Sequence, residues 1–166
     1  LVLFLMMLSI SGRAQVYTMS MTATAPTDRT IEVTLIVTAN SNQRFAGFSA
    51  GVNFNTAIVN GGTLSVAYVP NSKAAELSAL SPSAVALSSL GGQMRLPNAV
   101  VGGASSIDMV AGSSLVLGTY RITNTVPWAA SSNASLWLQN VLATQRTNTS
   151  ASGYPYGATT PQTVYN

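Results

Sequence analysis

From Tyr17 onward, polar and apolar residues take turns along much of the chain. A period of two is the pattern of strands with one dry and one wet face. Tyr17, Met19, Met21 and Ala23 share one parity, with Thr18, Ser20, Thr22 and Thr24 on the other. After a turn at Pro26 and Asp28, Ile31, Val33, Leu35 and Val37 alternate with Thr30, Glu32, Thr34 and Thr38 until Asn40-Ser41-Asn42 closes the run. The two runs read as neighbouring antiparallel strands.

The same reading extends downstream. Over residues 45–55, Phe48, Ala50, Val52 and Phe54 are expected inward, opposite Gly47, Ser49, Gly51 and Asn53. Glycines in a strand leave room for a bulge or for close approach of another backbone or a ligand. Asn60-Gly61-Gly62 marks a turn before Leu64, Val66 and Tyr68. Residues 73–90 break the rhythm and predict an excursion with a helical turn or two near Glu76. Met94, Leu96 and Val100 predict an edge strand, because Pro97 cannot donate to a ladder. A short strand is expected over residues 107–109. Over 113–125, Val116, Tyr120 and Ile122 are expected in the core, with Thr119, Arg121 and Thr123 outward. Over 136–142, Leu136, Leu138 and Leu142 share one face, and Trp137, Gln139 and Val141 the other. About eight or nine strands without a helical period predict an all-β fold. An antiparallel β-sandwich, jelly-roll or Ig-like, is the natural solution, since two one-faced sheets must cover each other's apolar sides.

The N-terminus departs from this pattern. Its first ten residues, LVLFLMMLSI, hold one polar side chain, and Gly12 and Ala14 follow. An apolar run of that length before small residues reads as a secretory signal peptide, 1–14, cleaved between Ala14 and Gln15. It is shorter than the roughly 20 apolar residues of a membrane-spanning helix. Without an initiator Met or a basic start, the leader is expected to be N-terminally truncated. The sandwich is placed at 16–145, and 146–166 reads as a polar tail or linker to a following domain, within a longer polypeptide.

Composition narrows the chemistry. The chain has no His and no Cys, and its carboxylates are Asp28, Glu32, Glu76 and Asp108. Most catalysis needs a positioned acid, base, nucleophile or metal ligand, so an enzyme is not expected. No Asp-rich loop offers the six to eight oxygens of a Ca²⁺ site, and no cofactor is expected. Without disulfides, stability must come from a packed core. The formal charge is +3, yet Arg29, Arg44, Lys73, Arg95, Arg121 and Arg146 are scattered singly, which disfavours nucleic acid as a partner. Charged residues make up 7% of the chain, against about 25% in an average one, so the surface is expected to be neutral.

The stretch Gly47-Phe-Ser-Ala-Gly-Val-Asn-Phe-Asn55, with Ile58-Val-Asn-Gly-Gly-Thr-Leu64, resembles a cohesin-like sandwich. Gly118-Thr-Tyr-Arg-Ile-Thr-Asn-Thr125 with Pro127-Trp128 resembles the strand that follows a glycine in the same family. The combination also looks like a domain of large secreted bacterial proteins of the type IX secretion class. The resemblance covers roughly residues 16–145. It implies a non-catalytic, adhesive or carbohydrate-binding-module-like domain. The family's aromatic–Asp pair stands here as Phe54-Asn55, so the acid is missing.

Two residues are candidates for ligand binding. Trp128, in a loop beside Pro127, and Trp137, in a strand, could each stack on a sugar, since an indole joins an apolar face to a polar edge. Either could instead cover the core. Tyr154 and Tyr156 read as linker anchors. The expected function is a secreted, non-catalytic module for adhesion or protein assembly at the cell surface. The alternative is a carbohydrate-binding module using an exposed Trp. The partner would be an extracellular protein or polysaccharide, with no stable membrane span after leader removal.

Overall fold

The computed structural model describes residues 16–80, 84–101, 103–141, 143–155 and 162–165. The leader, with Ala14 and Gln15, and also Leu142 and Tyr156, lie outside the described residues. The strands are β1 (Tyr17–Thr27), β2 (Thr30–Ala39), β3 (Gln43–Asn53), β4 (Leu64–Tyr68), β5 (Ala86–Leu87), β6 (Gln93–Val100), β7 (Ile107–Met109), β8 (Ser114–Asn124), β9 (Trp137–Leu138), β10 (Ser150–Pro155) and β11 (Gln162–Tyr165). They form two packed antiparallel sheets, a β-sandwich. One sheet has the order β1-β2-β8-β4; the other runs β11-β10-β3-β6-β5, with β7 and β9 also paired to β3. Among the described residues, no helix is long and apolar enough to cross a membrane.

The alternation decides which side chains meet between the sheets. Ile31, Val33, Leu35 and Val37 of β2 are buried, as are Phe48, Ala50 and Val52 of β3 and Tyr120 and Ile122 of β8. The rings of Tyr17 and Phe45 meet edge to face, with centroids 5.7 Å apart. Ala23, expected inward, is exposed although it pairs with buried Val33. The far half of β1 lies on a sheet edge where little packs over it.

Three features depart from the expected pattern, each through a local irregularity. In β8, Leu35 of β2 faces Gly118 while Ile36 faces Val116, so Leu117 is an extra residue in a bulge. The bulge reverses parity: Leu117 is buried and Val116 is turned to the outer side with Ile36. Gly118 adopts φ +151°, a conformation that favours glycine, and a Cβ there would lie 2.9 Å from the Tyr68 ring. In β6, the partner jumps from Ala99 to Leu96 between Phe48 and Ala50, which places Pro97 in a bulge where no ladder bond is asked of it. β6 is nonetheless not a plain edge strand, because β5 pairs with Met94 and Arg95. The third departure is at the C-terminal end. Ser150–Pro155, inside the stretch read as a tail, is β10, buried between β3 and β11. Its small residues, Ser150, Ala151, Ser152 and Gly153, lack the bulky alternation that marks a strand in sequence. Tyr154, read as a linker anchor, is a buried member of the core.

The excursion at 73–90 contains a 3-10 turn, Ala75–Leu77, whose Leu77 is buried. Lys73 Nζ donates to the carbonyls of Ser78 and Leu80 and closes it.

The buried tyrosines make alkaline stability a readout of the core. Burial pushes the Tyr17 phenol up to about 12. It raises Tyr120 as well, with the neighbouring Tyr68 as a smaller cause. In the unfolded chain both titrate near about 10. Above that pH the unfolded chain has released a proton that the folded protein retains. The contribution of these two phenols to stability is therefore constant below about pH 10 and falls above it, by up to about 1.4 kcal/mol per pH unit for each tyrosine. Urea unfolding across alkaline pH checks this, and Tyr120→Phe should remove its part of the slope. The Tyr120 hydroxyl is buried and has no hydrogen-bond partner among the described residues. The same variant should therefore gain about 1 kcal/mol at neutral pH.

Candidate functional site

β3 is covered on both faces. Its inner side chains enter the core, while its outer face, expected to be wet, lies beneath the chain between β9 and β10. At Gly51 an added Cβ would sit 1.9 Å from the Thr147 carbonyl oxygen and 2.5 Å from Gln93 Nε2. The close backbone approach expected of glycines in this strand takes place here.

A buried amide network holds the crossing segment. Gln93 Nε2 donates to Asn53 Oδ1 at 3.1 Å and to the Thr147 carbonyl at 3.2 Å, and its Oε1 accepts the Thr147 N–H at 2.9 Å. Asn53 Nδ2 donates to Gln139 Oε1 at 2.9 Å. Arg95 Nε donates to Thr147 Oγ1 at 2.7 Å. Backbone bonds from Gln139 N–H to Gly51 and from Thr149 N–H to Gln139 complete the attachment. Gln93, fully buried, has its side-chain oxygen and nitrogen both engaged, as a buried amide requires.

Beside this network the end of the seven-stranded sheet opens into a groove of about 420 Å³. One wall is the end of β3 and its continuation, Asn53, Phe54, Asn55 and Thr56. The turn Leu90-Gly91-Gly92 forms a second wall, and Trp137, Gln139 and Arg146 form the third. Phe54 is buried, and its N–H donates to the Gly92 carbonyl. Asn55 caps the 3-10 turn Thr56–Val59 by accepting the Ala57 N–H at 3.0 Å. Arg146 Nη1 donates to the Gly91 carbonyl at 3.0 Å, which ties the crossing segment to the turn opposite.

The two tryptophans have different environments. Trp137 is 50% exposed on β9 and lines the groove with exposed Leu90. Its outward orientation matches the parity expected for residues 136–138, with Leu136 and Leu138 packed against the core. The strand itself ends at Leu138, since the chain then turns across β3. Trp128 does not line the groove. It packs partly buried against the core, and its backbone N–H donates to the Asp28 carbonyl at 2.8 Å in the β1–β2 turn. Its indole Nε1 is buried without a hydrogen-bond partner among the described residues.

The carboxylates lie apart. Glu32 pairs with Arg121 at 2.6 Å on the outer face of the four-stranded sheet, and Asp108 pairs with Arg44 at 3.1 Å. Asp28 sits in the β1–β2 turn and Glu76 in an exposed turn. None of them lines the groove. Among the described residues, no three His, Cys, Asp or Glu side chains gather where they could hold a metal ion.

Gln93 and Arg146 went unselected in the sequence. Neither sits in a motif, and only Gly51 signalled that something would cross β3.

Gly51→Ala tests whether the crossing segment depends on that contact. The clash is with backbone, so the variant should lose about 2–3 kcal/mol, a drop in Tm of roughly 5–10 °C. Hydrogen exchange should accelerate chiefly over residues 139–149; an unchanged Tm would show that the segment sits elsewhere.

In comparisons with known proteins, the chain matches no family model and no curated protein.

Proposed function

We propose that this protein is a non-catalytic extracellular binding module that holds carbohydrate in the groove beside Trp137. The observation that carries this reading is the half-exposed indole at the lip of a groove with amides and a guanidinium on its other sides. A pyranose ring has apolar C–H faces and a hydroxyl rim. The indole suits the first and the polar wall the second. The groove volume falls within the usual range for small-ligand sites, roughly 300–1,000 Å³. Leaving a half-exposed Trp in water has an unfavourable hydration cost that stacking would relieve.

The export leader read in the first residues supports an extracellular or cell-surface setting. The resemblance to cohesin-like domains of type IX-secreted bacterial proteins supports a role as one module of a larger polypeptide. The scarcity of acids, and their distance from the groove, support binding without turnover.

A screen of immobilised glycans tests the reading. Trp137→Ala should weaken binding at least tenfold with little change in stability. Trp128→Ala should instead destabilise by about 2–3 kcal/mol and leave groove affinity intact. If no glycan binds, or if Trp137→Ala binds as well as the parent, the reading fails.

A second observation favours protein assembly through the outer face of the four-stranded sheet. Cross-strand partners there form neutral rows: Thr18–Thr38–Ser114, Ser20–Ile36–Val116 and Thr22–Thr34–Thr119. Thr34 and Thr119 hydroxyls bond at 2.8 Å, and Thr38 and Ser114 at 2.7 Å, so much of the face is already satisfied and has few charges to desolvate. Thr22 and Ser114 are exposed. Substituting both with Arg should abolish crosslinking to a surface protein while leaving folding and glycan binding unchanged. Crosslinking that survives the charges removes this second reading.

A further inference from the structure

We propose that the groove selects glycans that carry a carboxylate, such as chains of uronic acids, with Arg146 as the residue that reads the charge. This rests on the groove being a carbohydrate site. The amides lining it are already engaged within the protein. Gln139 accepts from Asn53 and donates to the Val141 carbonyl at 2.7 Å. Asn55 caps a turn and donates to the Asn133 carbonyl at 3.1 Å. Asn53 is buried between Gln93 and Gln139. Each has spent one of its two donors and one lone pair of its oxygen on the fold, which leaves it able to meet a hydroxyl but with no charge to offer an anion.

Arg146 differs. A guanidinium has five N–H donors in a planar fork. Among the described residues, the Arg146 side chain makes one hydrogen bond, from Nη1 to the Gly91 carbonyl, and has no carboxylate partner. That bond holds the side chain against the groove wall and leaves the other donors for a ligand. Arg44 and Arg121, by contrast, are each paired with an acid. No Asp or Glu lines the groove to repel an anion. A carboxylate is the planar acceptor that matches the fork with two parallel hydrogen bonds. On a pyranose ring it stands at the edge, in the plane of the face that Trp137 would stack.

The test uses oligomers of galacturonate, glucuronate, mannuronate and guluronate beside the same oligomers with their carboxyls reduced to alcohols, and a sulfated neutral oligomer. At least one uronate oligomer should bind at least tenfold tighter than its reduced form, with affinity falling as salt rises. Arg146→Gln should abolish the preference while weak binding to the reduced form persists. Arg146→Lys should keep the salt dependence and lose most of the affinity, because a point charge lacks the fork. Trp137→Ala should weaken both forms. If reduced and acidic forms bind alike, or if Arg146→Gln keeps the preference, the inference is overturned and the carbohydrate reading stands. If the sulfated oligomer binds as tightly as the best uronate, selection for carboxylate is overturned. If no oligomer binds, the inference is overturned, and the glycan screen decides separately whether the carbohydrate reading falls with it.

Discussion

Everything in this protein depends on one shared apolar layer between two sheets. There is no cysteine to crosslink the chain, and the two ion pairs among the described residues lie at the surface, where such pairs contribute little. What remains is the burial of side chains such as Val33, Leu35, Phe48, Val52, Leu117 and Tyr120, each essentially inaccessible to water. The layer tolerates polar atoms poorly. The Tyr120 hydroxyl lies in it without a hydrogen-bond partner among the described residues, a cost that the surrounding packing outweighs.

Strand β3 links that layer to the candidate site. It is paired along both edges: β6 then β7 on one side, β10 then β9 on the other. Its inner face is core, and its outer face is a small polar interior built around Gln93, Asn53 and Thr147. Such a network is stable only when its members are satisfied, because a buried amide left unpaired costs about 1–3 kcal/mol. The network holds the crossing segment down, and that segment delivers Arg146 to the groove. The groove is thereby built against paired strands although much of its wall comes from irregular chain. The division of labour between the tryptophans follows from the same geometry. Trp137 lies on the outward face of a two-residue strand, while Trp128 covers the rim of the core.

Much of the fold was legible as periodicity. The inward sets of β2 and β3 and the outward Trp137 follow from parity alone, because side chains of a regular strand must alternate. Parity fails at bulges. At Leu117 and around Pro97 one or two extra residues shift the register, and no residue type there announces it apart from Gly118 and the proline itself. β10 was hidden for a different reason. It packs through small residues in a strand buried on both sides, so no contrast between a wet and a dry face remains to be read.

The sequence by itself determined the fold class, the absence of thiol and imidazole chemistry, and the identity of most core side chains. Those are local properties, written in composition and in a two-residue repeat. Only the tertiary structure decided that Asn53, Gln93 and Thr147 would form one polar interior, and that Trp137 would share a groove with Arg146. Those residues come from separate strands and a crossing segment. Their meeting depends on how two sheets close and how one loop lies across a glycine, which no local pattern encodes.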